Sequence, residues 1–320
     1  MGRMIGKWLL RLAILLLVIT IAGGLYQRIS ENRNIQAFPA RGTLVNIGSH
    51  KLHLFCQGMG SPTVILEAGL GNMVLSWSRV QPDLSKLTQV CSYDRAGLGH
   101  SEPGPFPRSA SQIVNELDAL IAASGLEPPF ILVGHSNGAL YNRLYERMRP
   151  TFVAGMVLVD PNPENTPGCP ELTPLTRKIY GALVALSDIG VPRLLLPILF
   201  PLPANMTPEE GSEFSALRAR GDFLRALLSE TDETCQLVEE AHKSERPAPD
   251  LPITVLSANY ESRPEIVALR KEWAQSVPSA KFQLVKDSGH WIQRDQPNAV
   301  IDAVSKIIKR VKASENYKMN

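Results

Sequence analysis

Three patterns of hydrophobic and polar positions divide the chain. The first is an uncharged run of 15 residues, Leu12 to Tyr26 (LAILLLVITIAGGLY), or 19 residues if it starts at Trp8 and accepts Arg11 in its first turn. The second begins at Gly42 and alternates short apolar runs with stretches of helical periodicity, the pattern of a mostly parallel sheet joined by crossover helices. It predicts eight strands: Gly42 to Ile47, Lys51 to Gln57, Thr63 to Glu67, Gln89 to Tyr93, Phe130 to Val133, Gly155 to Val159, Ile253 to Ser257 and Lys281 to Val285. Helical spacing is clear in Ser109 to Ser124, where Ile113, Leu117, Leu120 and Ile121 follow cap-type serines. It recurs from Pro297 through Ile301, Val304, Ile307 and Ile308 to about Val311. The third pattern interrupts the second: about ninety residues between Val159 and Ile253 carry helical patterns and many prolines but no strand signal. Helices are predicted there over Leu172 to Ser187, Pro208 to Ala219 and Asp232 to His242, the second opening on Thr207-Pro208-Glu209-Glu210, a good helix start.

These divisions predict an α/β fold, a mostly parallel eight-stranded sheet flanked by helices, with an inserted helical lid. Residues 1–36 form a signal anchor and tether, 37–160 and 251–320 the core, and 161–250 the lid. Within the lid, Val191 to Pro203 (VPRLLLPILFPLP) is almost entirely apolar. It either packs onto the sheet domain or presents an acyl-binding or membrane-facing surface.

The N-terminal run is long for a signal-peptide core and short for a comfortable span. Arg11 can snorkel, and Trp8 and Tyr26 sit where interfacial aromatics belong, which favours an uncleaved anchor. Small residues at Thr20-Ile21-Ala22 leave a cleaved signal peptide as the alternative. Arg3, Lys7 and Arg11 precede the run, so the positive-inside rule places the N-terminus in the cytoplasm and residues 27–320 outside. Residues 27–41 show no periodicity and read as a tether.

Composition sharpens this division. The formal charge of +2, from 33 Lys plus Arg against 31 Asp plus Glu, offers no basic field for nucleic acid. It is the sum of a leader at +4 over residues 1–36 and a mildly acidic remainder at −2. With 44% hydrophobic and 20% charged residues the chain folds around a core, which excludes a fibrous or mostly disordered protein.

Candidate chemistry concentrates in Phe130 to Leu140 (FILVGHSNGAL). A short apolar strand runs into Gly134-His135-Ser136-Asn137-Gly138 and then into the helical stretch Ala139 to Arg149, the context that a G-x-S-x-G nucleophile elbow requires. A serine is a weak nucleophile until a base takes its proton. His290, just beyond the last predicted strand in Lys286-Asp287-Ser288-Gly289-His290-Trp291, stands in the Ser-to-His order of such sites and is the candidate base. His50, His53, His100, His135 and His242 have weaker claims, and no pair has metal-ligand spacing.

With these segments the sequence resembles the α/β-hydrolase superfamily, in particular its lid-bearing serine esterases and lipases. The resemblance covers about Gly42 to Val311 and rests on Leu66-Glu67-Ala68-Gly69-Leu70-Gly71, Tyr93 to Ser101, the elbow and the Gly289-His290 loop. It implies an oxyanion hole built from the backbone N–H groups of Leu70 and Asn137. It implies no metal or organic cofactor. The loop Asp94 to Ser101 resembles the family's structural turn. The family usually places an Asp shortly after the seventh strand, but here Ala258-Asn259-Tyr260-Glu261 follows. Asp160, 24 residues after Ser136 at the end of a strand, and Glu261, 29 residues before His290, are both candidate acids. Asp160 is preferred because a strand end fixes its position.

Four cysteines outside the cytoplasm suggest disulfides. Cys56 and Cys91 would lie on neighbouring strands of the superfamily's sheet, and Cys169 and Cys235 both fall in the lid, so these two pairs are expected. The resemblance implies a serine hydrolase acting on a carboxylic ester with a lipophilic or small acyl group. Ser at the elbow disfavours the dehalogenase and epoxide-hydrolase branches, whose nucleophile is an Asp. Cofactor-free haloperoxidase, carbon–carbon hydrolase and aminopeptidase activities share the triad, and a non-catalytic membrane-tethered binding protein is the reading from another class. The expected partners are a small-molecule ester and, through the N-terminal segment, a membrane.

Overall fold

Valine, isoleucine and leucine runs that are buried on both faces belong in the middle of a parallel sheet, and that is where they lie in the computed structural model, which describes residues 2–163, 172–199, 202 and 205–319. Eight strands, β1 (Thr43–Asn46), β2 (Lys51–Gln57), β3 (Thr63–Glu67), β4 (Val90–Tyr93), β5 (Phe130–His135), β6 (Val153–Val159), β7 (Ile253–Ala258) and β8 (Ala280–Val285), form one sheet. Its order is β1-β2-β4-β3-β5-β6-β7-β8. β1 and β2 run antiparallel to their neighbours, and every other pairing is parallel. The strand ends differ from expectation by a residue or two: β5 continues to His135 and β6 starts at Val153.

The helices among the described residues are α1 (Gly2–Ala37), α2 (Gln81–Leu84), α3 (Ala110–Ser124), α4 (Asn137–Met148), α5 (Pro174–Ala185), α6 (Val191–Leu199), α7 (Pro208–Arg218), α8 (Gly221–Lys243), α9 (Pro264–Gln275), α10 (Ile292–Asp295) and α11 (Pro297–Met319). The chain divides into two compact units, Ala40–Leu172 with Ser229–Asn320, and Met1–Pro39 with Thr173–Leu228.

In the first unit, side chains alternate across the sheet as a pleat demands. Ile65 and Leu132 join a core with Ile113 and Leu117 of α3, Leu140 and Tyr145 of α4, and Leu237 and Ala241 of α8. Their neighbours Val64, Leu66, Ile131 and Val133 join the opposite core with Val300, Val304 and Ile307 of α11. Ser109 caps α3 by accepting from Gln112 N, and Gly125 closes it in the left-handed region. The unit boundary falls inside α8, whose second half contributes to the sheet's core rather than to an insertion ending near residue 250.

The second unit is helical. α7 starts with the capping box expected at Thr207, whose hydroxyl accepts from Glu210 N while the Glu210 carboxylate accepts from Thr207 N. α1 corrects the expectation of a tether over residues 27–41: the helix runs without a break to Ala37. Its polar end is held by tertiary partners. Arg193 Nε donates to Gln27 Oε1 at 2.7 Å, and Gln27 Nε2 donates to Ala219 O at 3.4 Å. None of its most apolar 18-residue window is buried within the protein, and the helix is long and apolar enough to cross a membrane. It fits a membrane anchor or a signal sequence.

Cys56 and Cys91 are register partners on β2 and β4 and form the expected disulfide. The expected Cys169–Cys235 pair lies outside the described residues, at Cys169.

Candidate active site

β5, a central strand paired on both sides, delivers Ser136 at its C-terminal end. The chain turns from strand to helix within one residue, which puts Ser136 at φ 54°, ψ −122°, a conformation that costs a non-glycine residue about 1–3 kcal/mol. Ser136 N donates to Val159 O at 3.0 Å, tying the turn to β6. The glycines on either side are needed for clearance: a methyl on Gly134 would lie 2.5 Å from Gly138 O, and one on Gly138 would lie 2.5 Å from Glu67 O.

β6 ends at Asp160, which is fully buried with φ 46°. Its carboxylate gathers four donors. His290 Nδ1 lies 2.6 Å from Oδ2 and Tyr260 OH donates to the same oxygen at 2.5 Å. Arg270 NH1 lies 2.5 Å from Oδ1, and Ala258 N donates to Oδ1 at 2.8 Å. Burial alone would raise the Asp160 pKa. The His290 hydrogen bond, the Arg270 charge and the Tyr260 hydroxyl outweigh it and hold the carboxyl below its usual range. An ionised Asp160 can only accept, so Nδ1 of His290 carries the proton and Nε2 is left with a lone pair.

His290 sits in the loop between β8 and α10, with its side chain 39% exposed against 0% for Asp160. Gly289 N donates to Asp295 Oδ2 at 2.9 Å, which braces this loop. His135, next to the serine, donates from Nε2 to His290 O at 2.8 Å. The His290 backbone is thereby tied to the elbow. Burial and the nearby His290 push the His135 pKa down to about 3, so His135 stays neutral. No hydrogen bond joins Ser136 Oγ to His290 among the described residues; such bonds often tighten only when substrate is bound. Of the two candidate acids, the structure brings Asp160 to His290, whereas Glu261 is exposed at the surface.

The Leu66 to Gly71 loop lies against the elbow, since a methyl on Gly69 would stand 3.2 Å from Ser136 Cβ. Its peptides are oriented from beneath by Arg95, which donates to Ala68 O at 2.6 Å and Gly69 O at 2.8 Å. In a planar trans peptide the N–H points opposite to the C=O, so fixing Gly69 O on Arg95 aims Leu70 N–H away from the guanidinium. Arg95 is in turn gripped by Glu67 at 2.6 Å and by both carboxylate oxygens of Glu230 at 2.8 Å. Asn137 begins α4, where backbone N–H groups have no partner within the helix. Its side chain is used elsewhere, donating to Thr234 Oγ1 at 3.1 Å and accepting from Asn162. Asp94, in the loop read as structural, accepts from His53 Nδ1 at 2.7 Å, Val74 N at 2.8 Å and His100 N at 2.9 Å. Among the described residues no cluster of three His, Cys, Asp or Glu side chains is arranged to hold a metal ion.

A serine on a strained strand-to-helix turn, a histidine after the last strand and a buried carboxylate at a strand end share one end of the sheet. A family model described as "Alpha/beta hydrolase family" matches residues 64–303. The chain belongs to the α/β-hydrolase family. This hydrolase is 26% identical over 252 residues to the uncharacterized protein YqjL of Bacillus subtilis, covering 76% of this chain and 82% of that one. The epoxide hydrolase CorEH superposes with a TM-score of 0.65 at 18% identity, covering 84% of this chain and 98% of that chain. A thermophilic esterase of Thermogutta terrifontis superposes with a TM-score of 0.60 at 19% identity, covering 82% and 94%. At these identities the structural likeness concerns the fold.

Two residues of the α/β-hydrolase site escaped sequence reasoning. Tyr260 and Arg270 carry no motif, and α9, which positions Arg270, was not among the predicted helices. A buried acid at Asp160 does call for a compensating cation, but nothing local says which arginine supplies it.

Proposed function

We propose that this hydrolase is a serine hydrolase that cleaves carboxylic esters of lipophilic or small acyl groups through an acyl-enzyme, with Ser136, His290 and Asp160 as its catalytic triad. The observation that carries the reading is the His290–Asp160 pair, joined at 2.6 Å, on loops tied to the strained turn of Ser136. A serine at this position also argues against the Asp-nucleophile chemistry of the epoxide-hydrolase branch. Ser136 Oγ attacks the acyl carbonyl as His290 Nε2 takes its proton, and the imidazolium formed is stabilised by Asp160. The oxyanion of the tetrahedral intermediate is received by the N–H groups of Leu70 and Asn137. His290 then protonates the leaving alkoxide, the ester C–O bond breaks, and the alcohol departs. Water, deprotonated by the same histidine, attacks the acyl-enzyme and releases the acid while Ser136 regains its proton.

The lipophilic preference is supported by the apolar composition of the insertion, which we read as a lid, and by α1. In this reading α1 is an uncleaved anchor and residues 27–320 work outside the cytoplasm. A fluorophosphonate probe tests the core of the reading: the wild type is labelled and Ser136→Ala is not. A well-folded wild type that resists labelling would favour the binding-protein reading. A series of p-nitrophenyl esters tests the substrate class, with octanoyl expected to exceed acetyl in kcat/KM; the reverse order would overturn the lipophilic preference.

A further inference from the structure

The helical unit formed by residues 1–39 and 173–228 contains a cavity of about 410 Å³ that the hydrolytic chemistry does not use. Tyr26, Ser30 and Arg33 of α1, Arg193 of α6, and Ser212 and Arg218 of α7 are in its wall. Three arginines therefore converge on one concavity. Arg218 is only 6% exposed, and its Nε and NH2 have no hydrogen-bond acceptor among the described residues. Its guanidinium stands over the Phe214 ring at 5.6 Å, an attraction that does not neutralise the charge. Arg193 gives its Nε to Gln27, while its NH2 is buried without an acceptor among the described residues. The nearby carboxylate, Glu31, accepts from Gln27 Nε2 at 2.9 Å and its charge favours the charged form of Arg193, whereas at Arg218 only burial acts. Burial acts against the charged form of both Arg193 and Arg218, yet arginine does not shed its proton in proteins. A buried guanidinium with open donors calls for an anion.

The position of the cavity along α1 limits what that anion is. Trp8 to Tyr26 is 19 residues, about 28 Å of helix at 1.5 Å per residue, close to the thickness of a bilayer's hydrocarbon core. Arg33 then lies about 10 Å beyond Tyr26, at or just past headgroup depth. A short turn, Ser187–Ile189, packs on the last apolar turn of α1 at Gly23, where a methyl would stand 2.7 Å from Ile189 O. In the same unit Leu194, Ile198 and Leu199 of α6 and Leu175 of α5 are exposed, at 64%, 76%, 48% and 69%. An apolar face beside an anchor helix suits a unit that rests on the bilayer surface.

We propose that this cavity is a binding site for a phosphate group, held by Arg218, Arg193 and Arg33, and that its source is the headgroup of an anionic lipid. The planar donor forks of arginine match phosphate oxygens in pairs, and the Ser30 hydroxyl in the cavity wall is a further donor, whereas Ser212 already gives its proton to Pro208 O at 2.8 Å. The inference rests on α1 being a membrane anchor.

The experiment measures thermal unfolding of the full-length protein in nanodiscs of phosphatidylcholine, of phosphatidylcholine mixed with phosphatidylglycerol, and of phosphatidylcholine with added inorganic phosphate. Co-elution with the discs tests the anchor separately, because a chain that fails to enter them refutes the anchor and not the cavity. Phosphatidylglycerol is expected to raise Tm by about 2–4 °C. A rise produced by inorganic phosphate as large as that produced by the lipid would keep the anion site and overturn the lipid as its source. Arg218→Met is expected to raise Tm in phosphatidylcholine, since it removes an uncompensated buried charge, and to abolish the response to phosphatidylglycerol. Should that variant not fold, Arg33→Gln, at an exposed position, is expected to reduce the response while leaving Tm in phosphatidylcholine unchanged. No rise with either anion, or a full response in the variant measured, overturns the proposal.

Discussion

His290 Nδ1 meets Asp160 Oδ2 at 2.6 Å across 130 residues of sequence, while Glu261, the nearer candidate in the chain, points into solvent. A partner that orients an imidazole and stabilises its cation has to be in contact with it. Asp160→Asn is therefore expected to lower kcat for p-nitrophenyl esters by about 10⁴-fold, the scale seen for loss of a triad acid. Glu261→Gln is expected to leave kcat unchanged. A large fall in the Glu261 variant with little change at Asp160 would reverse the assignment.

Arg270 makes an ionised Asp160 affordable at full burial. With NH1 at 2.5 Å from Oδ1 and Nε donating to Pro161 O at 2.7 Å, it clamps both the carboxylate and the backbone that follows. Removing one member of a buried pair typically costs about 3–5 kcal/mol, so Arg270→Met should lower Tm markedly at neutral pH. The pH dependence gives the charge its own readout. In the wild type the depressed pKa contributes stability above the unfolded value, lost only as pH falls through the folded one. In the variant burial is less opposed, the folded pKa rises, and folding becomes coupled to protonation of Asp160. The stability deficit should thus shrink as pH is lowered from 8 to 5, in Tm measured across that range. A deficit that is constant with pH would show that Arg270 acts by packing alone.

These sites differ in how far the sequence discloses them. The elbow is legible because strand, glycines, serine and helix are contiguous, and His290 because it follows the last strand. Asp160 is preferred from its strand end, but its contact with the imidazole is not legible, since that depends on which loop reaches His290. Arg270 reaches Asp160 from 110 residues away on a helix with little periodicity. The polar half of α1 was illegible for a related reason: its partner Arg193 lies 166 residues from Gln27, so the segment has no local pattern to declare itself a helix.

Arg95 stands between two buried carboxylates, and one cation neutralises only one of them. Burial, with the charge of Glu230 adding to it, pushes the Glu67 pKa from 4.5 up to about 7 against the pull of Arg95 and the Tyr93 hydroxyl. Folding therefore favours protonated Glu67. That contribution is fully present below the unfolded value of about 4.5 and is lost as pH rises through about 7. Glu67→Gln keeps the hydrogen-bonding shape and removes the titration, so the slope of Tm between pH 5 and pH 8 should be flatter in the variant. Identical slopes would mean that Glu67 is ionised throughout.

The Cys56–Cys91 disulfide should support stability without touching catalysis. It joins register partners on β2 and β4, whereas the serine follows β5 and the histidine follows β8. Closing a loop of 35 residues removes unfolded-chain entropy worth about 4 kcal/mol on the loop-closure estimate. In the native state the two strands are hydrogen-bonded neighbours, so the sheet retains their pairing when the bond is absent. The Cys56→Ala, Cys91→Ala double variant is expected to lose several degrees of Tm and to keep kcat and KM for p-nitrophenyl esters near wild type. Peptide mapping of the wild type without reduction should recover the Cys56 and Cys91 peptides as one cross-linked species that separates on reduction. A loss of activity as large as the loss of stability would instead place the β2–β4 pairing in control of the Asp94 to Ser101 loop and, through Arg95, of the Leu70 peptide.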